Sequence, residues 1–186
     1  MVDHVEFETP SIVDNFISAW RKSAKQRVGY LYGSYKPYKE IPLGLKIVVS
    51  AIYEPPQKST HDSVTLTPLL TQPLFLELGL VCVGVIYTDL VANKLADGSG
   101  GGGAICKRHV NSYFLSSAEC ITAAQYQLAS PYKTPHALHG TFGSRFVTCV
   151  VSGNSKEELD MAVYQVSNDA CAMVRDGLIE ARYFND

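Results

Sequence analysis

The sequence predicts an α/β fold in which a mixed β-sheet is flanked by helices. Segments of helical and of extended character follow one another in the order α, β, β, α, β, loop, α, β, β, α, which favours a layered sandwich over a bundle or a barrel. The chain has 186 residues, of which 46% are hydrophobic and 18% charged. This is enough for an ordinary buried core, so we expect one domain over residues 1–186.

The helices are predicted from apolar residues that recur at a spacing near 3.6. In the first helix the residues Ile12, Phe16 and Trp20 share one face, and Thr9 precedes Pro10 as a candidate N-cap. A Ser-x-x-Glu pattern from Ser116 to Glu119 opens a later helix as a capping box. The predicted helices are Thr9 to Lys22, Pro73 to Leu78, Ser116 to Gln127 and Asp169 to Arg175.

The strands are predicted from short apolar runs that are rich in β-branched and aromatic residues. They are Arg27 to Tyr35, Leu45 to Tyr53, Leu80 to Thr88, Ala104 to Lys107, Ser112 to Leu115, Arg145 to Ser152 and Met161 to Val166. The polar, Thr-rich stretch from Lys58 to Gln72 indicates a surface excursion.

Charge and composition exclude several classes of function. Sixteen Lys and Arg against eighteen Asp and Glu leave a net charge of -2, without the basic surface that nucleic-acid binding requires. Apolar runs such as Leu78 to Tyr87 are too short to insert into a membrane, and no signal peptide opens the chain. The five cysteines are widely spaced and odd in number, which favours reduced thiols over a disulfide frame or a zinc site. We expect a cytoplasmic and nuclear protein.

A glycine-rich stretch interrupts the second half of the chain. Five of the six residues from Gly98 to Gly103 are glycine. The Lys-Ser or Lys-Thr that completes a phosphate-binding loop does not follow them. We predict a flexible Gly-rich insertion loop over residues 91–104, and the sequence leaves open whether it is native or engineered.

Three segments together resemble the MPN, or JAMM, superfamily: Gln26 to Gly33, Gly84 to Asp89 and Leu115 to Glu119. The resemblance implies an MPN three-layer sandwich, a mixed, curved β-sheet flanked by helices. Active members hold a catalytic zinc with a Glu, a His-x-His and a Ser-x-x-Asp. Carried over to this sequence, those positions are Gln26, Tyr87, Asp89, Ser116 and Glu119.

The residues at these positions do not suit a catalytic zinc. Both histidines are replaced, by Tyr87 and Asp89, and the neutral Gln26 can take no proton from a bound water. Asp89 and Glu119 are the two remaining ligand candidates, which is too few for that geometry. We expect no metal, no cofactor and no enzymatic activity.

Shorter segments are more specific and resemble the central domain of the nuclear protein localisation protein 4 family. They are Ala19 to Lys22, Arg27 to Gly33, Pro42 to Gly44, Ala51 to Gln57, Tyr87 to Leu90, Tyr113 to Ser117, Arg145 to Thr148 and Tyr164 to Ser167.

This resemblance implies a ubiquitin-handling cofactor of the AAA ATPase known as valosin-containing protein. The cofactor pairs with the ubiquitin fusion degradation protein and recruits ubiquitylated substrates for unfolding and proteasomal degradation, including endoplasmic-reticulum-associated degradation. Peripheral association with the endoplasmic reticulum and nuclear envelope is implied as well. Docking to the ATPase is expected to use flanking regions that this chain does not contain.

The superfamily holds its substrate as an extended chain in a groove between two insertions, here about Pro55 to Leu70 and Asp89 to Phe114. A groove without a metal still binds peptides. The candidate contacts for ubiquitin or a partner are Tyr87, Asp89, Ile105, Tyr113 and Phe114. Two other hypotheses stay open: an active zinc isopeptidase that uses Asp89 and Glu119, and a spacer that binds nothing.

Overall fold

A six-stranded mixed sheet forms the centre of the computed structural model, which describes residues 1–66, 78–94 and 100–181. The elements in chain order are β1 (His4–Phe7), α1 (Pro10–Ser23), β2 (Val28–Tyr38), β3 (Gly44–Tyr53), β4 (Gln57–Ser59), β5 (Val64–Leu66), β6 (Val81–Asp89), β7 (Ala92–Lys94), β8 (Gly100–Ala104), α2 (Ser117–Ala129), β9 (Pro131–Lys133), β10 (Thr141–Ser144), β11 (Val147–Gly153), β12 (Leu159–Tyr164) and α3 (Asn168–Arg175).

The sheet mixes parallel and antiparallel pairs in the order β1-β3-β2-β6-β11-β12. The pairs β1–β3 and β6–β11 are parallel, and the other three are antiparallel. The predicted α/β fold with a mixed sheet flanked by helices is therefore confirmed, and the arrangement is that of an MPN-like sandwich.

Helix α1 covers one face of the sheet because its apolar residues repeat at helical spacing. Its Phe16, Ile17 and Trp20 are buried. They form one core cluster with residues from the central strands, among them Ile86 of β6 and Cys149 of β11. This cluster is the main hydrophobic core among the described residues, and it fixes the strands that carry the candidate site.

The opposite face of the same strands lies beneath α2. Alternate residues of a strand point to opposite faces, and β6 and β11 run parallel with Val85 opposite Thr148. Val85 and Thr148 line a cavity together with Ala123 and Tyr126 of α2. The candidate site therefore lies on the α2 face, separated by the sheet from the core under α1.

The chain enters the site directly after α1. Ala24 adopts a left-handed conformation with φ of 51° at the helix C-cap, and its N–H donates to the Trp20 carbonyl at 2.7 Å. This conformation ends the helix. Gln26, two residues later, lies just before β2 begins. The predicted start of α1 with Pro10 at its first position is confirmed, although the Thr9 side chain makes no capping hydrogen bond.

Two predicted strands in the second insertion are wrong. The segment from Ala104 to Lys107 leaves the sheet at Ala104, where β8 ends, and Ser112 to Leu115 is irregular. The reason is tertiary: Ile105 donates to the Val91 carbonyl at 2.8 Å, and the chain beyond it follows the side-chain contacts of Arg108 described below. The helix predicted at Pro73 to Leu78 lies outside the described residues except for Leu78.

Within the loop predicted at 91–104, β7 and β8 pair as short antiparallel strands, and residues 95–99 lie outside the described residues. The flexibility and origin of this loop stay predictions. Short hairpins that the sequence reading missed are β4–β5, in the predicted surface excursion, and β9–β10. No helix among the described residues is long and apolar enough to cross a bilayer.

Two glycines allow the second insertion to leave the sheet by crossing the β11–β12 turn. A Cβ on Gly103 would lie 2.7 Å from the Glu157 carbonyl oxygen, and one on Gly153 would lie 2.6 Å from that of Ile105. The Ala104 N–H donates to the Glu157 carbonyl at 2.9 Å. At least one residue of the glycine run is thus a packing requirement and not merely a flexible spacer.

We expect Gly153→Ala to lower the free energy of unfolding by about 2 kcal/mol, because backbone atoms on both sides must shift to admit the methyl group. Urea unfolding measures the change. Gly140→Ala is the control: a Cβ added to Gly140 would meet no atom within 4 Å, and only the φ of 73° opposes the substitution, so about 1 kcal/mol is expected. A smaller loss for Gly153→Ala than for Gly140→Ala would contradict this packing.

Candidate functional site

All five positions carried over from the metal site line one cleft. Gln26 lies before β2, Tyr87 and Asp89 at the end of β6, and Ser116 and Glu119 at the start of α2. The cleft has a volume of about 330 Å³, and Val64 of β5 and Tyr113 of the second insertion close its sides. The pairing of β2 with β6, which places Val28 opposite Tyr87, and the packing of α2 over β6 bring these distant positions together.

Gln26 is a buried amide whose hydrogen-bonding groups are all used. Its Nε2 donates to the carbonyls of His61 at 2.6 Å and Leu90 at 2.7 Å. Its Oε1 accepts from the Thr88 hydroxyl at 2.8 Å and the Leu90 N–H at 3.2 Å. Only 6% of Gln26 is exposed. The side chain therefore has no free atom for a metal, and two of its bonds need an amide that donates.

Tyr87 lies at the position carried over from the first histidine of the MPN metal site, and its side chain stays a neutral phenol. Burial raises its pKa, and the negative charge of Glu119 raises it further. The hydroxyl is buried and makes no hydrogen bond with good geometry among the described residues. It is still close enough to Glu119 for the carboxylate charge to raise its pKa. A phenol that resists ionisation is a poor metal ligand.

Arg108 fills the space between the two remaining acidic positions, and sequence analysis did not identify it. Its Nε donates to Asp89 Oδ2 at 2.9 Å, and its two terminal nitrogens bind the Glu119 carboxylate at 3.0 and 2.5 Å. One terminal nitrogen also donates to the Phe114 carbonyl at 2.6 Å, and the other lies 2.8 Å from Asp89 Oδ2. Four of the five guanidinium N–H groups thus donate hydrogen bonds, and the remaining contact with Asp89 is an ion pair.

The charges of this group compensate one another. The Arg108 side chain is 5% exposed. Burial alone would lower its pKa, but the hydrogen bonds and charge of Glu119 and the charge of Asp89 outweigh it and raise that pKa. Lys107 lies 3.7 Å from the other Asp89 oxygen. Two carboxylates therefore face two cations at the centre of the cleft, whose lining also includes the exposed Asp62.

Glu119 has two partners because it also caps α2. Its Oε2 accepts from the Ser116 N–H at 2.7 Å, and the Ser116 hydroxyl accepts from the Glu119 N–H at 3.3 Å. The predicted capping box is confirmed. Burial by itself would raise the pKa of Glu119, but the hydrogen bonds with Arg108 and Ser116 lower it below its ordinary value. Glu119 is thus an ionised group held by both partners.

The donor set does not fit a catalytic zinc. Such a site needs three nitrogen, sulfur or carboxylate ligands with free lone pairs and a fourth open position. Here the amide is fully bonded, the phenol is neutral and both carboxylates bind a guanidinium. Among the described residues, no three His, Cys, Asp or Glu side chains form a group able to hold a metal ion.

The five predicted contact residues are only partly brought together. Tyr87, Asp89 and Tyr113 line the cleft, and the Arg108 guanidinium carbon lies 5.6 Å from the centre of the Tyr113 ring. Phe114 is 55% exposed and Ile105 42% exposed, but neither lines the cleft. Core packing does not explain the two aromatic residues of this insertion, because both are largely open to solvent.

A second, apolar cavity of about 270 Å³ continues the cleft, and sequence analysis missed it as well. The two share Val28, Val64, Tyr87 and Glu119 as lining residues. Leu66 of β5 and Tyr126 of α2 lie at the apolar end. The apolar Val64 and Leu66 are separated by the polar Thr65, and this alternation indicates a strand with one apolar face. The result is one groove with a polar end and an apolar end.

One family model and several known proteins match this chain over nearly its whole length. A model of the NPL4 family matches residues 27–184. Proteins named Nuclear protein localization protein 4 are 47% identical over 188 residues in Kluyveromyces lactis, 45% over 191 in Saccharomyces cerevisiae and 44% over 184 in Schizosaccharomyces pombe. The matches cover 97%, 99% and 97% of this chain but 30%, 32% and 32% of those relatives. The chain spans about a third of their length.

We expect Glu119→Gln to lower the free energy of unfolding by about 2 kcal/mol at pH 7, because the buried guanidinium loses one of its two charged partners. The folded-state pKa of Glu119 lies below its ordinary value of 4.5. Its contribution is therefore fully present above about pH 4.5 and is lost as the pH falls through the folded-state pKa.

Urea unfolding of wild type and variant between pH 7 and pH 3 tests this, with the exposed Glu8→Gln as control. The difference between wild type and Glu119→Gln should shrink with acidification, whereas Glu8→Gln should follow the wild type throughout. A difference that stays constant down to pH 3 would show that the Glu119 charge is not involved.

Proposed function

The chain belongs to the NPL4 family, and we propose that it is a non-catalytic domain that binds an extended protein segment. The observation that carries this proposal is the groove itself: it combines a polar and an apolar end, while Arg108 takes up both acidic side chains at its centre. On this proposal the groove still holds a protein segment, while the described residues at its centre do not form a set suited to cleaving that segment.

The shape and polarity of the groove suit an extended peptide. Strand β5 pairs with β4 along one edge, and its other edge pairs with no strand among the described residues. Val64 and Leu66 of β5 both face the apolar cavity, opposite α2. A peptide added to the free edge would gain main-chain hydrogen bonds from β5 and place alternate side chains in the apolar cavity.

The occupant we propose is a segment of the ubiquitin fusion degradation protein, as the family resemblance implies. The domain would then be part of a heterodimeric cofactor that recruits ubiquitylated substrates to the AAA ATPase valosin-containing protein. Because the chain spans about a third of its relatives, binding of ubiquitin chains and docking to the ATPase are proposed for the whole protein. Action in cytoplasm and nucleus and at the endoplasmic reticulum belongs to the same proposal.

Peptides tiled along the ubiquitin fusion degradation protein, titrated against the domain, test the groove. We expect one internal peptide to bind, and Val64→Asp to weaken it at least tenfold because a charge then lies in the apolar cavity. The double variant Tyr113→Ala, Phe114→Ala should weaken binding as well, since both rings are exposed beside the groove.

Phe142→Ala is the matched control for the aromatic substitutions, because Phe142 is also largely exposed but lines a different cavity. Its affinity should equal that of wild type. If no peptide binds, or if Val64→Asp and the double variant bind like wild type, the groove is not the binding site.

Elemental analysis and an isopeptide cleavage assay test the alternative of a zinc isopeptidase. We expect no stoichiometric zinc in protein purified without chelators, and no cleavage of ubiquitin chains, because Asp89 and Glu119 are bound to Arg108. One zinc per chain together with cleavage that Glu119→Ala abolishes would replace the binding function with a catalytic one.

A further inference from the structure

We propose that Gln26 and Arg108 are positioning residues that hold the two walls of the groove at a fixed separation, as parts of a polar clamp formed by Gln26, Asp89, Arg108 and Glu119. One wall is the β4–β5 hairpin with its turn, and the other is the described part of the second insertion, residues 89–94 and 100–114. The inference rests on the proposed function, because it explains how the groove keeps its shape without a metal.

The Gln26 amide is hydrogen-bonded to both walls at once. Its two N–H donors bind His61 in the turn of the hairpin and Leu90 at the root of the second insertion, at 2.6 and 2.7 Å. The Gln26 N–H also donates to the Thr60 carbonyl at 2.9 Å. The glutamate of an active member would here place carboxylate oxygens against two carbonyl oxygens. The amide at this position therefore serves a purpose that a catalytic glutamate could not.

Arg108 ties the second wall to the sheet and to α2. Its guanidinium joins Asp89 at the end of β6, the Phe114 carbonyl within the insertion and Glu119 in the first turn of α2. Tyr113, which lines the groove, lies against the same guanidinium. A planar group with five fixed donors can hold three elements in one arrangement, whereas a lysine ammonium on a flexible stem cannot.

Gln127 offers a matched control for Gln26. It is equally buried at 5% exposure, and its amide likewise bonds main chain, donating to the Val166 carbonyl at 2.9 Å and accepting from the Val166 N–H at 2.6 Å. It joins α2 to the segment before α3 and does not line the groove. A substitution at Gln127 makes the same chemical change and should leave the groove walls in place.

Amide hydrogen exchange of Gln26→Glu and Gln127→Glu is the first test. At pH 7 we expect Gln26→Glu to reduce protection at least tenfold for the Thr60, Leu90 and Ile105 amides, which lie in or beside the two walls, with Val150 in the central sheet unchanged. Gln127→Glu should reduce protection near Val166 instead. Thr88→Val, which removes the hydroxyl that donates to Gln26, is a milder second variant.

The pH dependence separates positioning from a general loss of stability. Burial and the two facing carbonyls favour the protonated form of the carboxyl introduced by Gln26→Glu, so its pKa is raised. Protection of the walls, corrected for intrinsic exchange, should return as the pH is lowered towards 5 and disappear as it rises. Wild type should show no such recovery.

Peptide affinity is the second test and uses Arg108→Lys, with Arg145→Lys as control. Arg145 stacks on Tyr132 at 3.3 Å and forms no ion pair among the described residues. For a peptide that binds the wild-type groove, we expect Arg108→Lys to weaken binding at least tenfold, mainly through faster dissociation, and Arg145→Lys to have no effect. Unchanged wall protection in Gln26→Glu, Thr88→Val and Arg108→Lys would overturn the clamp.

Failure of the two proposals can be told apart. If no peptide binds wild type, the proposed function fails, while the exchange experiment still decides whether the clamp exists. If the peptide binds and Arg108→Lys binds it equally well, the groove stands and the clamp is wrong.

Discussion

Two carboxylates that face each other across a partly buried cleft require a cation, and Arg108 supplies it. Asp89 ends a central strand and Glu119 begins the helix above it, so their separation is set by the sheet and by helix packing. Without a positive charge between them they would repel in a medium of low polarity. The guanidinium meets this requirement from within the chain, and the path of the second insertion follows from it.

The same constraint explains how the groove can keep its shape in a chain whose residues do not suit a catalytic zinc. A bound catalytic zinc would both activate water and hold its ligands together. Here the second role is taken by hydrogen bonds: Gln26 bonds both walls, Thr88 bonds Gln26, and Glu119 bonds Arg108 as well as the helix N-terminus. Each of these groups is buried or partly buried and satisfied, which is the condition for a polar network to rigidify a site.

Sequence patterns predicted the regular elements well wherever local preference and burial agree. The helix behind Pro10, the capping box at Ser116 and the central strands were all predicted close to their observed bounds. Prediction was wrong between Ala104 and Leu115. In that segment Val, Ile and aromatic residues suggested strands, but the backbone follows a side-chain contact with Arg108 and a close approach at Gly153, neither of which has a local signature.

The sequence by itself determined the fold class and the family resemblance, and it predicted which positions correspond to the zinc ligands of the resembled superfamily, because each depends on residue type and spacing along the chain. Only the tertiary structure decided which side chains and main-chain groups contact the residues at those positions. Arg108 lies 19 residues from Asp89 and 11 from Glu119 along the chain, and Gln26 lies 64 from Leu90. Their contacts arise because β2 pairs with β6 and α2 packs over β6, and an interaction made by packing leaves no periodic trace in the sequence.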